Sequence, residues 1–230
     1  MTENKDKKIY ILIPAFNEES QIGRVISSLK ERGFTNILVI NDGSRDKTEQ
    51  IAMEAGAEVL NHIINRGQGA ALRTGIEYLR ETATPDIIIT FDADGQHRPE
   101  DIPALVNPIL KGEADIVLGS RFLKEKSNIP PIRKFVLKAG ILFTNFISRI
   151  NLTDTHNGFR ALGKKAIEKI KITHRGMEHA SDIIDEIPKN KLRYKEVPVE
   201  IIYTDYSKMK GQKTSNFIKM GIKIIIKKIS

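Results

Sequence analysis

Short apolar runs alternate with amphipathic stretches along the first 120 residues, and this alternation constrains the fold more than any other feature of the chain. The runs KIYILIPAF (8–16), TNILVINDGS (35–44), AEVLNH (57–62), PDIIITF (85–91) and ADIVLG (114–119) are rich in Ile and Val, as strands buried on both faces are. Between the first two, residues 22, 25, 26 and 29 are apolar at helical spacing and Gly33 follows the stretch. The segments 45–56, 67–81 and 98–110 are likewise predicted as helices. Strand and helix succeeding one another at such short intervals predict βαβ units and a mostly parallel, Rossmann-like sheet flanked by helices. Its crossovers should be right-handed. After residue 120 the rhythm changes. SRFLKEKSNIPPIRK (120–134) is a basic, Pro-containing connection, a helix is predicted over 134–149, and residues 154–170 and 194–204 supply further strands and helices. No linker composition separates the two parts, so a single domain with one continuous sheet is expected over 8–205. Residues 1–7 are polar and expected to be disordered.

Ligands of an open parallel sheet bind outside the carboxyl ends of its strands. Three polar clusters fall at such ends, PAFNEE (14–19), NDGS (41–44) and DADGQH (92–97), so all three should converge on one crevice. In the third, Asp92, Asp94 and Gln96 alternate and offer only oxygen. With 0 Cys in the chain, oxygen donors point to Mg²⁺ or Mn²⁺ completed by water and substrate phosphates. The same carboxylates could instead cap the helix that begins near Arg98. The EF-hand pattern is not met, since His97 and Pro103 stand at its Gly and Glu positions. NRGQGAALRTG (65–75) is neither a Walker loop nor a dinucleotide fingerprint, as no Gly-Lys-Ser/Thr follows and Leu72 replaces the third Gly. A Gly-rich turn opening a helix can approach a diphosphate, or serve only as a tight turn. Asp42 and Glu18 could accept from ribose hydroxyls or a base N–H, or close a turn or cap. The five histidines show no spacing for a shared metal site and are assigned to packing or surface.

Net charge is +8, and the excess is concentrated beyond Asp205, where Lys208, Lys210, Lys213, Lys219, Lys223, Lys227 and Lys228 have no acidic neighbours. In 206–230, Phe217, Ile218, Ile222, Ile225 and Ile229 share one helical face and lysines another, the pattern of a helix lying on anionic lipid. Docking on the rest of the chain, or on a small membrane protein, would use the same faces. Lysines interrupt the longest apolar tail, so no transmembrane helix or signal peptide is expected. Aromatic residues are 6% and interleave no basic patch, which argues against nucleic acid as a partner.

Taken together, IPAFNEE, VINDGS, NRGQGAALRTG, DADGQH, GSRF and DTHNGFRA, in this order, resemble family 2 glycosyltransferases over about residues 8–205. The branch that contains dolichyl- and polyprenyl-phosphate sugar synthases, dolichol-phosphate mannosyltransferase among them, is the most similar. The resemblance implies a GT-A fold with a nucleotide-sugar half (8–120) and an acceptor half (121–205). It implies inverting transfer of one sugar from a nucleoside diphosphate sugar (UDP- or GDP-linked) to a polyprenyl phosphate. The setting would be the cytoplasmic face of a membrane, in cell-envelope glycan or glycoprotein synthesis. Pro14, Phe16, Glu18, Ile40 and Asp42 would line the nucleoside pocket, and Asp92, Ala93 and Asp94 would run along ribose and diphosphate. Asp94 and Gln96 would ligate the cation. Arg121 would face the phosphates, with Arg133 as a second contact. An anionic lipid phosphate needs no strong base, whereas a glycan hydroxyl would, with Asp154 or Asp182 as candidates. The chain departs from its relatives at RGMEHASDIIDEI (175–187), where Glu178 and Asp182 stand without the usual aromatic surroundings. A non-catalytic nucleotide-sugar-binding module is the reading from another class, and intact Asp94 and Gln96 argue against it.

Overall fold

The computed structural model describes residues 7–123, 150–155 and 157–202. Seven strands, β1 (Ile9–Ala15), β2 (Ile37–Asn41), β3 (Glu58–Asn61), β4 (Ile87–Thr90), β5 (Ile116–Ser120), β6 (Arg160–Gly163) and β7 (Tyr194–Pro198), form one sheet. Their order is β3-β2-β1-β4-β6-β5-β7. The pairs β1–β2, β1–β4, β2–β3 and β5–β7 are parallel. Only β6 runs against its two neighbours, β4 and β5. The described helices are α1 (Ile22–Glu31), α2 (Thr48–Glu54), α3 (Gln68–Thr82), α4 (Ile102–Leu110), α5 (Lys164–Lys169) and α6 (His179–Lys189).

The strand alternation sorts side chains onto two cores. Ile11 and Ile13 of β1 face α1, α2 and α4, while Leu12 between them faces the α3, α5 and α6 side. In α1 the buried residues are Ile22, Val25, Ile26 and Leu29, the stripe that the spacing predicts. Helix α3 lies so close over β1 that a Cβ at Gly75 would stand 2.2 Å from Leu12 Cδ1. Burial of each such Ile or Leu contributes about 1.5–3 kcal/mol, and the doubly covered sheet is the main stabilising layer.

Two features were not legible in the patterns above. β6 enters antiparallel between β4 and β5. Helix α6 buries Ala180, Ile183, Ile184 and Ile187 in a stretch whose acidic residues drew notice and whose helical spacing did not. The predicted helix over 134–149 and the C-terminal segment lie outside the described residues.

At the end of the sheet remote from the polar clusters, Asp115 joins β5 to β7. Its carboxylate accepts from Arg193 N at 2.8 Å, Nε at 3.2 Å and Nη2 at 2.7 Å. Hydrogen bonding from the Arg193 side chain pulls the Asp115 carboxyl down to about 2. A carboxyl depressed from 3.8 in this way contributes stability that is present above pH 3.8 and lost as pH falls through about 2. Arg193→Ala is therefore expected to lower unfolding free energy by about 2 kcal/mol at neutral pH. Denaturant titrations should show the difference from wild type shrinking in that acid window.

Candidate active site

β1 lies between β2 and β4, and the chain turns outward to β3 on one side before crossing to β4 on the other. The topological switch, and so the crevice, is at the carboxyl ends of β1 and β4. The three polar clusters meet there. Pro14 is buried opposite Ile40, and Phe16 is 41% exposed just beyond the strand.

The first two clusters are tied to each other by side chain–backbone bonds. Asn17 N donates to Ser44 Oγ (2.9 Å), Arg45 N to Asn17 Oδ1 (2.9 Å), and Glu18 N to Thr48 Oγ1 (2.8 Å). Asn17 adopts φ 52°, a left-handed conformation that asparagine tolerates and that re-aims the loop after β1. The Glu18 carbonyl accepts from Gln21 N and Ile22 N at the start of α1.

Asp42 is buried, and much of its acceptor capacity is used within the protein. Oδ1 accepts from Arg66 N (2.9 Å) and pairs with His62 Nδ1 (2.7 Å), while Oδ2 accepts from Gly67 N (2.7 Å). The carboxylate thus shapes the Gly-rich turn. Two oxygens offer about four acceptor positions, and these partners take up three of them.

That turn starts α3, and Gln68 in the first turn reaches the third cluster, where its Nε2 donates to Asp92 Oδ1 at 3.1 Å. Asp92 is also held from below. Its N–H donates to His97 Nδ1 (3.1 Å), which fixes the ring as the Nε2–H tautomer, and His97 Nε2 lies 3.3 Å from Asp92 Oδ2. His97 is sandwiched in apolar surroundings, stacked on Phe159 at 4.6 Å and edge-on to Phe91. Burial pushes its imidazole down to about 4, so it is neutral. Gly158 leaves room for the Asp92 carboxylate, because a Cβ there would stand 3.0 Å from Oδ2.

Asp94 Oδ1 accepts from Gln96 N (3.0 Å), a tight Asx turn that brings both side chains to one loop. Burial raises the Asp92 and Asp94 carboxyls to about 6, and the Asp92 charge adds to the effect on Asp94. Among the described residues no Lys or Arg ion-pairs with Asp94. Two desolvated carboxylates, Asp92 repelling the charge of Asp94, are oxygen donors that a hard divalent cation would relieve, and Gln96 lies two residues along the same loop. Among the described residues there is no group of three or more His, Cys, Asp or Glu placed to hold a metal, so the cation would take further oxygens from water and a ligand. Protons compete for these oxygens. Mn²⁺ affinity, followed by electron paramagnetic resonance, is expected to fall as pH drops through about 6 and to recover above it.

Arg121, just past β5, is pinned by Asp154. Its Nε and Nη2 donate to Asp154 Oδ2 and Oδ1 at 2.7 and 2.8 Å, and its N–H donates to Oδ2 at 3.1 Å. Asp154 is 2% exposed, and its own N–H, like that of Thr153, donates to Glu196 of β7. Asp182 is committed too, accepting from Thr173 N and His174 N at 2.7 Å each. Burial works to raise its carboxyl, and these donors outweigh that and hold it below the usual range. Both side chains considered as bases therefore serve as structural acceptors. Arg133 lies outside the described residues.

Comparison with known proteins agrees with this architecture. The Glycosyl transferase family 2 profile matches residues 10–171. The chain is 41% identical to the uncharacterized protein MJ1222 of Methanocaldococcus jannaschii, covering 98% of this chain and 94% of that one. It is 34% identical to the UDP-N-acetylglucosamine–dolichyl-phosphate N-acetylglucosaminyltransferase of Methanococcus voltae, covering 97% of each. Among solved structures, glucosyl-3-phosphoglycerate synthase from Mycobacterium tuberculosis, in complex with Mn²⁺, UDP and glucosyl-3-phosphoglycerate, superposes with a TM-score of 0.74 at 20% identity over 96% of this chain and 78% of that one. The GT-A fold is the one this sheet order and its flanking helices build.

Proposed function

This chain belongs to Glycosyl transferase family 2 and is a glycosyltransferase, and from that premise we propose that it moves one sugar from a nucleoside diphosphate sugar to a polyprenyl phosphate at a membrane surface, with inversion. The observation that carries the choice of acceptor is the Arg121–Asp154 pair. It presents an arginine oriented by a buried carboxylate and leaves Asp154 unavailable as a base. A glycan hydroxyl would need a base to take its proton. A lipid phosphate, with a second pKa of about 6, is already anionic near neutrality. Its oxygen forms the new bond to the anomeric carbon as the bond from that carbon to the diphosphate breaks, and the electron pair leaves with the nucleoside diphosphate.

In this reading Pro14, Phe16, Glu18, Ile40 and Asp42 hold the nucleoside, and Asp92, Ala93 and Asp94 follow the ribose and diphosphate. Asp94 and Gln96 would hold Mg²⁺ or Mn²⁺, a cation that would supply positive charge beside the diphosphate. The family's M. voltae member acts on a UDP-sugar and a dolichyl phosphate, and the solved fold neighbour binds Mn²⁺ and UDP, which supports the same ligand classes here. Arg121 screens the acceptor phosphate, aided by Arg133. Among the described residues no helix is long and apolar enough to cross a membrane. Surface attachment is assigned to the basic 206–230 segment, through lipid or a small membrane protein, at the cytoplasmic face.

Incubation with radiolabelled nucleoside diphosphate sugars, Mn²⁺ and a polyprenyl phosphate tests the proposal. It predicts an acid-labile, lipid-extractable product. Transfer only to oligosaccharide, or no transfer from any donor, would contradict it.

A further inference from the structure

Three buried side-chain N–H positions have no hydrogen-bond partner among the described residues: Asn157 Nδ2 and Arg160 Nε and Nη1. All belong to the NGFR segment that leads into β6. A buried donor without a partner costs about 1–3 kcal/mol, and a charged one more, so such a group requires a compensating role. Arg160 is the extreme case, 1% exposed and among the largest fully buried side chains.

The charges that face Arg160 explain its retention. Burial lowers its guanidinium to about 10, and the two anions that oppose this are Asp92 and Asp154. The buried His179 is also nearby. Desolvation and the Arg160 charge push its imidazole down to about 4, so it is neutral and adds no competing cation. The register gives the reason for this placement. β6 lies between β4 and β5, with Arg160 opposite Thr90 on one side and Leu118 on the other. Asp92 follows Thr90 by two positions, and Arg121 follows Leu118 by three. Arg160 thus sits between the strands that deliver the donor-side carboxylate and the phosphate-facing arginine. Charge alternates across the floor of the cleft, from Asp92 to Arg160, Asp154 and Arg121.

We propose that Arg160 is a positioning residue of the transfer reaction, a buried counter-charge shared by Asp92 and Asp154 that holds the donor-side and acceptor-side groups in one arrangement. A guanidinium suits the place better than an ammonium, because its charge is spread over a planar fork and it is more weakly hydrated. The inference rests on the reading of the cleft as a sugar-transfer site.

The test compares Arg160→Met and Arg160→Lys with wild type, using kcat and KM for nucleotide sugar and polyprenyl phosphate, alongside circular dichroism and melting. Arg160→Met is expected to fold and to lose about 10- to 100-fold in kcat, the usual effect of removing a group that orients functional ligands. Arg160→Lys is expected to recover part of that loss, which a role in filling volume would not produce. A folded Arg160→Met with wild-type kcat would overturn the proposal, as would a folded Arg160→Lys no more active than Arg160→Met. Should Arg160→Met fail to fold, Arg160→Lys is compared with Arg160→Gln. A higher kcat for Lys supports the counter-charge, and a kcat for Gln equal to or above that of Lys overturns it. Failure of wild type to form lipid-linked sugar refutes the transferase reading instead, so the two failures are distinguishable.

Discussion

Asp94→Ala is expected to lower metal-dependent sugar transfer by about 1,000-fold or more. A divalent cation contributes several kcal/mol of stabilisation to the leaving diphosphate, and about 1.36 kcal/mol corresponds to each tenfold in rate. The fold should survive, because the Asp94 carboxylate accepts from the N–H of Gln96 within its own loop and joins no other element among the described residues. Steady-state kinetics with Mn²⁺, paired with melting curves, checks both halves of the expectation. Retention of full activity in Asp94→Ala, or in EDTA-treated wild type, would remove the cation from the account.

The second large effect concerns Arg121. Arg121→Ala should lower kcat/KM for the lipid phosphate by about 100- to 1,000-fold, the scale on which one positioned donor to a reacting oxyanion acts. It should also destabilise the protein by about 3–5 kcal/mol, since Asp154 is 2% exposed and would lose its bidentate partner. The two consequences can be separated. Adding Asp154→Asn to Arg121→Ala removes the buried charge that has lost its bidentate partner and is expected to return much of the stability while leaving activity low. A double variant that regains activity along with stability would show Arg121 to be a structural cation only.

The acidic half of the cleft was legible because its logic is local. Each polar cluster directly follows an apolar run, and strands this apolar have one arrangement in which all their carboxyl ends coincide. Asp92 and Asp94 are visible on that basis without any knowledge of partners. The setting of Asp154 was not legible, for the opposite reason. Sequence offers it as one more carboxylate, and only the packing of residues 153–154 against Glu196 of β7 turns it onto Arg121. Arg160 was missed because an arginine beside a Gly-Phe pair looks like a strand end in water. Its burial depends on β6 entering antiparallel between β4 and β5, a pairing set by contacts far apart in the chain. His97 was assigned with the other histidines to packing or surface; it packs between Phe91 and Phe159, and the same ring also holds Asp92. Gln68 lay in a Gly-rich turn read for its glycines, while its amide is the part that reaches the acidic loop.

The measurement that bears most directly on the central claim is a crystal structure with Mn²⁺ and a nucleoside diphosphate sugar, with the metal placed from its anomalous signal. The account predicts a manganese peak bound by Asp94 and Gln96 and by diphosphate oxygens, with the nucleoside running along the ends of β1 and β2 toward Asp42. A metal bound elsewhere, or a nucleotide away from the carboxyl ends of β1, β2 and β4, would contradict it.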